Sequence, residues 1–569
     1  MSTELVALLA DALSGSGLFG GLAPERIMAL GAQHGSQAEG TVLFRKGDVG
    51  QHAYLIISGI LGLHTGDISH PTAFFRKVVP GELVGEYGPI CGEPRSATAL
   101  ALTAVEYLQL NHSQLKQLLQ EEPTVQSRFI SSLAVAASIG RNPGQAALET
   151  IVIHDASPNS PLTATVRGQL PDQLRRFSSD ISNLDGLAIH IDGCDETTLH
   201  SRMVEATHKG KPQVLFNQDP RAISRRNLLL IDRLLILCDG NAPSIVLPEA
   251  MDRETLLVRL WPSHQECPSS RDWARSAPFA QVLNVRPQEP RHLERLARAV
   301  VRRQNVLVLG GGGARGFAHI GVLAAMEKLG MNDLDMVMGV SIGSLVASLA
   351  AFENTAAEIF SNLERVIIKA RPYSFTLPRD SLLTLRNSRL ALERFFGTAQ
   401  MQDSWLPLRC FSTNLSNNRL QAWSSGEIPK AVIASMSVPG IFPPMEDAQG
   451  DLHVDGGILN NLPVAEARKA SDGRVLAVSL DPDPDAVAVT GDSEATPPRE
   501  RPSIGRMIIN AMMCGSHAET QAQERLADLI LRPDIGRFPF LEWKRYREIY
   551  AVGYQDALRV LSKGWPGKV

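Results

Sequence analysis

Two glycine-rich turns some 30 residues apart hold the groups best suited to chemistry in this chain. The first, Gly310-Gly311-Gly312-Gly313-Ala314-Arg315-Gly316, follows the apolar run Asn305-Val306-Leu307-Val308-Leu309 and opens a helical pattern that stops at Gly330. Glycines let main-chain amides face an incoming oxygen, and the start of a helix adds partial positive charge. Such a cradle can hold a dinucleotide pyrophosphate, a triphosphate or an oxyanion. No lysine–serine pair follows it, which disfavours the triphosphate. The second turn, Gly339-Val340-Ser341-Ile342-Gly343, lies between a buried-type strand, Asp335 to Gly339, and an apolar helix from Ser344 to Phe352. A serine flanked by glycines at two residues to either side, between strand and helix, is the pattern of a nucleophile elbow. Read alone, Ser341 could be a helix N-cap; beside an amide cradle it reads as a nucleophile.

A serine hydroxyl is hardly ionised at neutral pH and needs a base. Three residues of the region qualify: His319 in the helix after the cradle, His453 on the short run Asp451 to Asp455, and Asp455 itself. Gly456-Gly457 follow Asp455 and allow close approach. A carboxylate touching the serine makes a dyad without an imidazole. A Ser–His–Asp triad through His453 or His319 is the alternative. Between elbow and base, Arg365 to Phe396 interleaves Arg371, Arg379, Arg386, Arg389 and Arg394 with Tyr, Leu and Phe. This stretch reads either as a cap that meets lipid head groups and acyl chains or as an amphipathic helix packed on the core.

Gly311 to Gly316, Gly339 to Gly343, Ala434-Ser435-Met436-Ser437-Val438-Pro439-Gly440-Ile441-Phe442-Pro443-Pro444 and Asp455-Gly456-Gly457 together resemble the patatin-like phospholipase family, over about residues 304 to 480. That resemblance implies a three-layer α/β/α hydrolase with a Ser–Asp dyad. By position, Ser341 is then the nucleophile and Asp455 the base. The amides of Gly311, Gly312 and Gly313 form the oxyanion hole, Arg315 helps fix their loop, and Gly316, Gly339, Gly343, Gly456 and Gly457 support the turns. The family hydrolyses acyl esters, chiefly of phospholipids and lysophospholipids, without a cofactor or metal.

Nearer the N-terminus, Gly81 to Pro89 followed by Pro94-Arg95-Ser96-Ala97-Thr98 resembles the phosphate-binding cassette of cyclic-nucleotide-binding domains, over about residues 18 to 135. The resemblance implies that Glu86, after Gly85, accepts from a ribose hydroxyl. It also implies that Arg95 pairs with a cyclic phosphate, aided by the amides of Gly88 and Ser96. A guanidinium fork suits a phosphate. Pro89 departs from the family pattern, since it removes an amide and restricts Gly88.

The elements that must position these groups come from a chain of 569 residues, 44% hydrophobic and 20% charged, enough apolar material for several cores. Lysines and arginines number 56 against 60 acids, a net charge of −4, which argues against a protein built to grip nucleic acid. Six cysteines without a Cys-x-x-Cys pair point to reduced thiols in a cytosolic protein and give zinc no framework. No signal peptide is visible, and the longest uncharged stretch, Met336 to Phe352, is too short to span a bilayer. A cytoplasmic protein, peripheral at the inner membrane face, is expected.

The fold class expected is multidomain α/β. Residues 1–145 read as a cyclic-nucleotide-binding-type β-roll with helices, with strands near Thr41–Phe44, Ala53–Ile57, Leu61–His64 and Ala104–Leu110, then helical spacing from Ser113 to Ala137. Residues 146–303 read as a middle α/β (Rossmann-like) spacer with candidate strands at Thr150–His154, Leu187–Ile191 and Arg233–Cys238. Residues 304–480 are the patatin-like domain, and 481–569 an acidic, proline-rich loop and a helical tail. This order resembles the bacterial relatives of neuropathy target esterase. The function implied is a serine hydrolase of phospholipids or lysophospholipids, regulated by a cyclic nucleotide (cAMP or cGMP). The alternative is a cyclic-nucleotide sensor or scaffold with a silent hydrolase-like domain.

Overall fold

The computed structural model describes residues 3–64, 74, 76–130, 150–178, 187–190, 195–209, 212–242, 244–248, 251, 255–264, 279–331, 333–369, 374–375, 383–384, 386–481 and 504–564. The chain divides into two units, one of residues 1–156, 175–236 and 246–252, the other of residues 157–174, 237–245 and 253–569.

In the first unit, two four-stranded antiparallel sheets make a roll. One runs in the order Gln33–Gln37, Val105–Asn111, His52–Ser58, Leu83–Val84; the other runs Val42–Phe44, Thr98–Ala101, Leu61–His64, Arg76–Val78. Alternation along His52–Ser58 explains the packing, because successive side chains of a strand face opposite ways. Ala53, Leu55 and Ile57 join Leu5, Leu9 and Leu13 of the helix Thr3–Ser14, whereas Ile56 faces Phe44, Leu61 and Leu63 inside the roll. After the roll, helical spacing does not run unbroken from Ser113. A helix His112–Glu121, closed by an Asn111–Gln114 capping box, ends at Glu122, and residues 123–130 are helical again. Pro123 explains the break, since a residue before proline is pushed out of the helical region. Residues 131–137 of that expectation lie outside the described residues. The middle segment carries the parallel strands Ala188–His190, Gln213–Asn217 and Thr150–Asp155, in that spatial order. Every residue of Thr150–Asp155 is buried, as in a parallel sheet covered on both faces.

The second unit is dominated by an eight-stranded mixed sheet. Its order is Met445–Glu446, Leu452–Asp455, Leu408–Asn414, Met336–Val340, Val306–Leu309, Val475–Val478, Leu529–Leu531, with Arg419–Trp423 paired to Leu408–Asn414. Strands Leu408–Asn414 through Leu529–Leu531 are parallel, and Leu452–Asp455 runs against them. One face packs on the helices Phe317–Lys328, Ile342–Ala350 and Tyr546–Leu561, the other on Val464–Ala470. This is a three-layer α/β/α arrangement, in which a site belongs at the carboxyl ends of the central strands. Two further parallel strands, Leu256–Leu260 and Gln281–Val285, also belong to this unit.

The tail is not purely helical: Leu529–Leu531 adds a parallel strand beside Val475–Val478 before the closing helix. Asp481, which composition assigns to a solvated loop, is buried at 7% exposure because it continues directly from the central strand Val475–Val478. The rest of that acidic loop, 482–503, lies outside the described residues, as do Arg371, Tyr373, Leu377, Arg379 and Leu382. The described end of the arginine-rich stretch is the helix Arg386–Phe396, which buries Leu392 and Phe396 and pairs Arg389 with Glu393 at 2.7 Å, as an amphipathic helix packed on the core would.

Candidate active site

Ser341 sits at the carboxyl end of Met336–Val340 with φ 53° and ψ −126°, a conformation costing a non-glycine residue about 1–3 kcal/mol. The turn leaves no room for side chains beside it. A Cβ on Gly339 would lie 2.3 Å from the Gly343 carbonyl oxygen, and one on Gly343 would lie 2.3 Å from that of Leu309. The Ser341 N–H donates to Ser435 Oγ at 2.8 Å, and Ser435 donates to the Phe411 carbonyl at 2.6 Å. Two residues on, the Ser437 carbonyl accepts the Asp455 N–H at 2.9 Å. The last turn of helix Ile428–Met436 and the residue that caps it therefore hold both the elbow and the strand carrying the carboxylate.

Sheet register sets the meeting of the two. Val340 pairs with Phe411 and Ser412 with Asp455, so Ser341 and Asp455 stand at one level on either side of a shared strand. Asp455 is buried, and loss of solvent lifts its carboxyl from 3.8 to about 6. The Ser341 hydroxyl beside it and the Gly457 N–H, which donates to Oδ1 at 2.8 Å, partly offset that. Oδ2 has no fully formed hydrogen bond among the described residues. Gly456 is required by close packing, because a Cβ there would lie 2.5 Å from the Phe411 carbonyl.

The glycine loop closes the third side. A Cβ on Gly311 would lie 3.1 Å from Ser341 Cβ, so the loop passes directly over the serine. Gly310 and Gly311 donate to the carbonyls of Val478 at 3.0 Å and Asn461 at 3.3 Å, and Ala314 donates to that of Phe540 at 2.7 Å. The amides of Gly312 and Gly313 have no acceptor among the described residues. Gly313 has φ +58° and abuts Phe540, whose carbonyl oxygen would be 2.4 Å from a Cβ. Gly316 leaves room for the Ile342 side chain. Arg315 Nε donates to the Phe538 carbonyl at 2.8 Å, tying the loop to the tail. Burial lowers its guanidinium pKa, with Asp481 opposing.

Neither histidine bonds to the serine. His319 is fully buried, its Nε2 paired with the Gly310 carbonyl at 2.8 Å, and desolvation holds it near 4, hence neutral. His453 engages both ring nitrogens elsewhere, Nδ1 with Ser412 Oγ at 3.1 Å and Nε2 with Asp447 Oδ2 at 3.0 Å. That contact holds the Asp447 carboxyl below its usual range. Sequence reasoning passed over Ser435, Asn461 and Asp481. The first stands in a motif already noted, and Asn461 closes the run Asp455-Gly456-Gly457-Ile458-Leu459-Asn460-Asn461.

In the roll, Arg95 is buried with its guanidinium over the Phe44 ring, 4.3 Å from the centroid. It donates to the Gly85 carbonyl and to the His52 carbonyl, the latter at 2.6 Å. Gly85 has φ +75° against Arg95, and a Cβ on Gly88 would lie 2.5 Å from the Gly50 carbonyl oxygen. Burial raises the Glu86 carboxyl, opposed by its own main-chain amide and then by Arg76 and Arg95. Ser96 is exposed beside Arg95.

Comparison with known proteins finds a family match over each of these two regions. Residues 307–468 match the family described as patatin-like phospholipase, and residues 36–122 match the cyclic nucleotide-binding domain. Lysophospholipase NTE1 of Meyerozyma guilliermondii is 31% identical over 279 residues, covering 46% of this chain and 19% of the relative. Patatin-like phospholipase domain-containing protein 6 of Homo sapiens is 30% identical over 55% of this chain and 25% of its own length. The Pongo abelii protein of that name is 25% identical over 92% of this chain and 44% of its own length. The chain thus spans less than half of these relatives.

Proposed function

We propose that this chain, which carries a patatin-like phospholipase domain behind a cyclic nucleotide-binding domain and is homologous to the NTE1 lysophospholipases, hydrolyses acyl esters of phospholipids or lysophospholipids through a Ser341–Asp455 dyad. What supports this reading above all is the buried Asp455 carboxylate. It is lifted to about 6, the range useful to a base at neutral pH, and the hydroxyl of the strained Ser341 lies close enough to act on it.

In the mechanism, ionised Asp455 takes the proton of Ser341 Oγ as that oxygen attacks the ester carbonyl carbon. The carbonyl oxygen becomes an anion facing the amides of Gly312 and Gly313. Removing one such donor typically costs about 10²–10³ in rate. Collapse breaks the acyl–oxygen bond, and Asp455 returns its proton to the leaving alcohol. Water then attacks the acyl-serine with Asp455 again as base, releasing the fatty acid and restoring the serine.

The roll is read as the regulatory site for a cyclic nucleotide, cAMP or cGMP, with Arg95 exchanging its carbonyl partners for the cyclic phosphate and Glu86 accepting from the ribose. No helix among the described residues is long and apolar enough to cross a membrane. Labelling with a fluorophosphonate tests the core of the proposal: the full chain should be modified on Ser341, and Ser341→Ala should lose both label and turnover. A Ser341→Ala protein that labels or hydrolyses normally would exclude this nucleophile.

A further inference from the structure

Asn461, 4% exposed, touches the glycine loop in both directions. Its main-chain carbonyl accepts the Gly311 N–H and its side-chain Nδ2 donates to the Gly311 carbonyl, each at 3.3 Å. The same Nδ2 donates to Asp481 Oδ1 at 3.2 Å. Its Oδ1 packs into the gap left by two glycines: a Cβ on Gly311 would lie 2.4 Å away, and one on Gly457 would lie 2.9 Å away. Gly457 is the residue whose amide holds the Asp455 carboxylate. One side chain therefore spans the loop that offers amides to an oxyanion and the turn that carries the base.

Asp481 anchors that side chain from below. It follows the central strand Val475–Val478, is buried, and stands among Thr520, His517, Glu524 and Arg315. Burial raises its carboxyl, while Thr520, His517 and Arg315 favour its charge and Glu524 opposes it. Arg315 belongs to the glycine loop itself, so Asp481 acts on that loop by two routes. The Asn461 bonds, at 3.2–3.3 Å, are at the long end of the hydrogen-bond range. Long contacts are expected where a site tightens only around its tetrahedral intermediate.

We infer that Asn461, anchored by Asp481, is a positioning residue that fixes the Gly312–Gly313 amides relative to the Ser341–Asp455 pair. The inference rests on the serine-esterase reading. It adds that the clamp acts in the transition state rather than in substrate binding. A displacement of about 1 Å in such a constellation can cost on the order of 10²-fold in rate.

The test uses the full chain, a fluorophosphonate, and monoacyl phosphatidylcholine as substrate. Asn461→Ala should lower kcat roughly 30- to 100-fold and leave KM within about threefold. Fluorophosphonate inactivation should slow by a similar factor, because the phosphonyl oxygen uses the same amides. Asp481→Asn, near-isosteric, should show the same split at about tenfold. Unchanged kcat and labelling in Asn461→Ala overturns the clamp. A loss shared equally by KM, or one confined to melting temperature, does so too. Where Asn461→Ala does not fold, Asp481→Asn decides by the same readouts. Wild type that labels on Ser341 while both variants label equally fast sinks the clamp alone; wild type that neither labels nor hydrolyses sinks the esterase reading and the clamp with it.

Discussion

Acidification interrogates the base directly. Burial lifts Asp455 from 3.8 to about 6, a preference for the neutral form of roughly 3 kcal/mol. Only the ionised carboxylate can take the Ser341 proton, so kcat/KM should rise with pH through a single limb centred near 6. At pH 5 about one carboxyl in eleven is ionised, and kcat/KM should be about a tenth of its plateau. The fluorophosphonate inactivation rate, measured across the same buffers, should trace the same curve. Folding stability runs the opposite way. The folded-state pKa exceeds the unfolded value, so the native protein binds this proton more tightly, and the group adds stability as pH falls from about 6 towards 3.8. Asp455→Asn, neutral and near-isosteric, should abolish the acid limb and cut kcat by about 10³ or more. It should also raise the melting temperature at pH 8, by removing a buried charge. An acid limb near 4, where His319 lies, would refute the reasoning, as would substantial turnover by Asp455→Asn.

Ser435→Ala leaves the buried Ser341 N–H without its acceptor, which should cost about 1–3 kcal/mol in denaturant unfolding. Fluorophosphonate labelling should slow as the elbow loosens, and wild-type stability would remove Ser435 from the account. Calorimetry of the full chain with cAMP and with cGMP should give binding heat for at least one nucleotide. Arg95→Ala should weaken that binding by about 1.5–3 kcal/mol, the worth of a charge-assisted contact. Heat absent from both proteins would leave the roll as a scaffold.

The elbow at Ser341 and the turn after Asp455 were legible because the steric demands around them are local. Gly339 and Gly343 are dictated by carbonyls 2.3 Å from where a Cβ would be, so the turn writes itself into the sequence at fixed offsets from Ser341. The roll strands were legible for a similar reason, since alternation along His52–Ser58 answers to two cores at once. What stayed hidden depends on register between distant segments. His453 and Asp455 lie two apart on one strand and share a face, so spacing alone could not choose between them. In the structure Ser412 and Asp447 occupy both imidazole nitrogens of His453, which favours Asp455 as the proposed base. The strand Leu529–Leu531 is three residues long and finds its place only beside Val475–Val478.

Asp481 is the instructive miss. Proline and aspartate around it spell a solvated loop, yet its position is set by the strand before it, which delivers it beneath the glycine loop. There it meets Asn461, and the tail meets the same loop through the carbonyls of Phe538 and Phe540. These last two acceptors come from the main chain, which no side-chain pattern records. They also lie beyond residues 307–468, the span that matches the hydrolase family. The glycine loop proposed to face the reacting carbonyl is thus held partly by chain outside that span, and the described part of the tail contributes to the loop's geometry through its main chain.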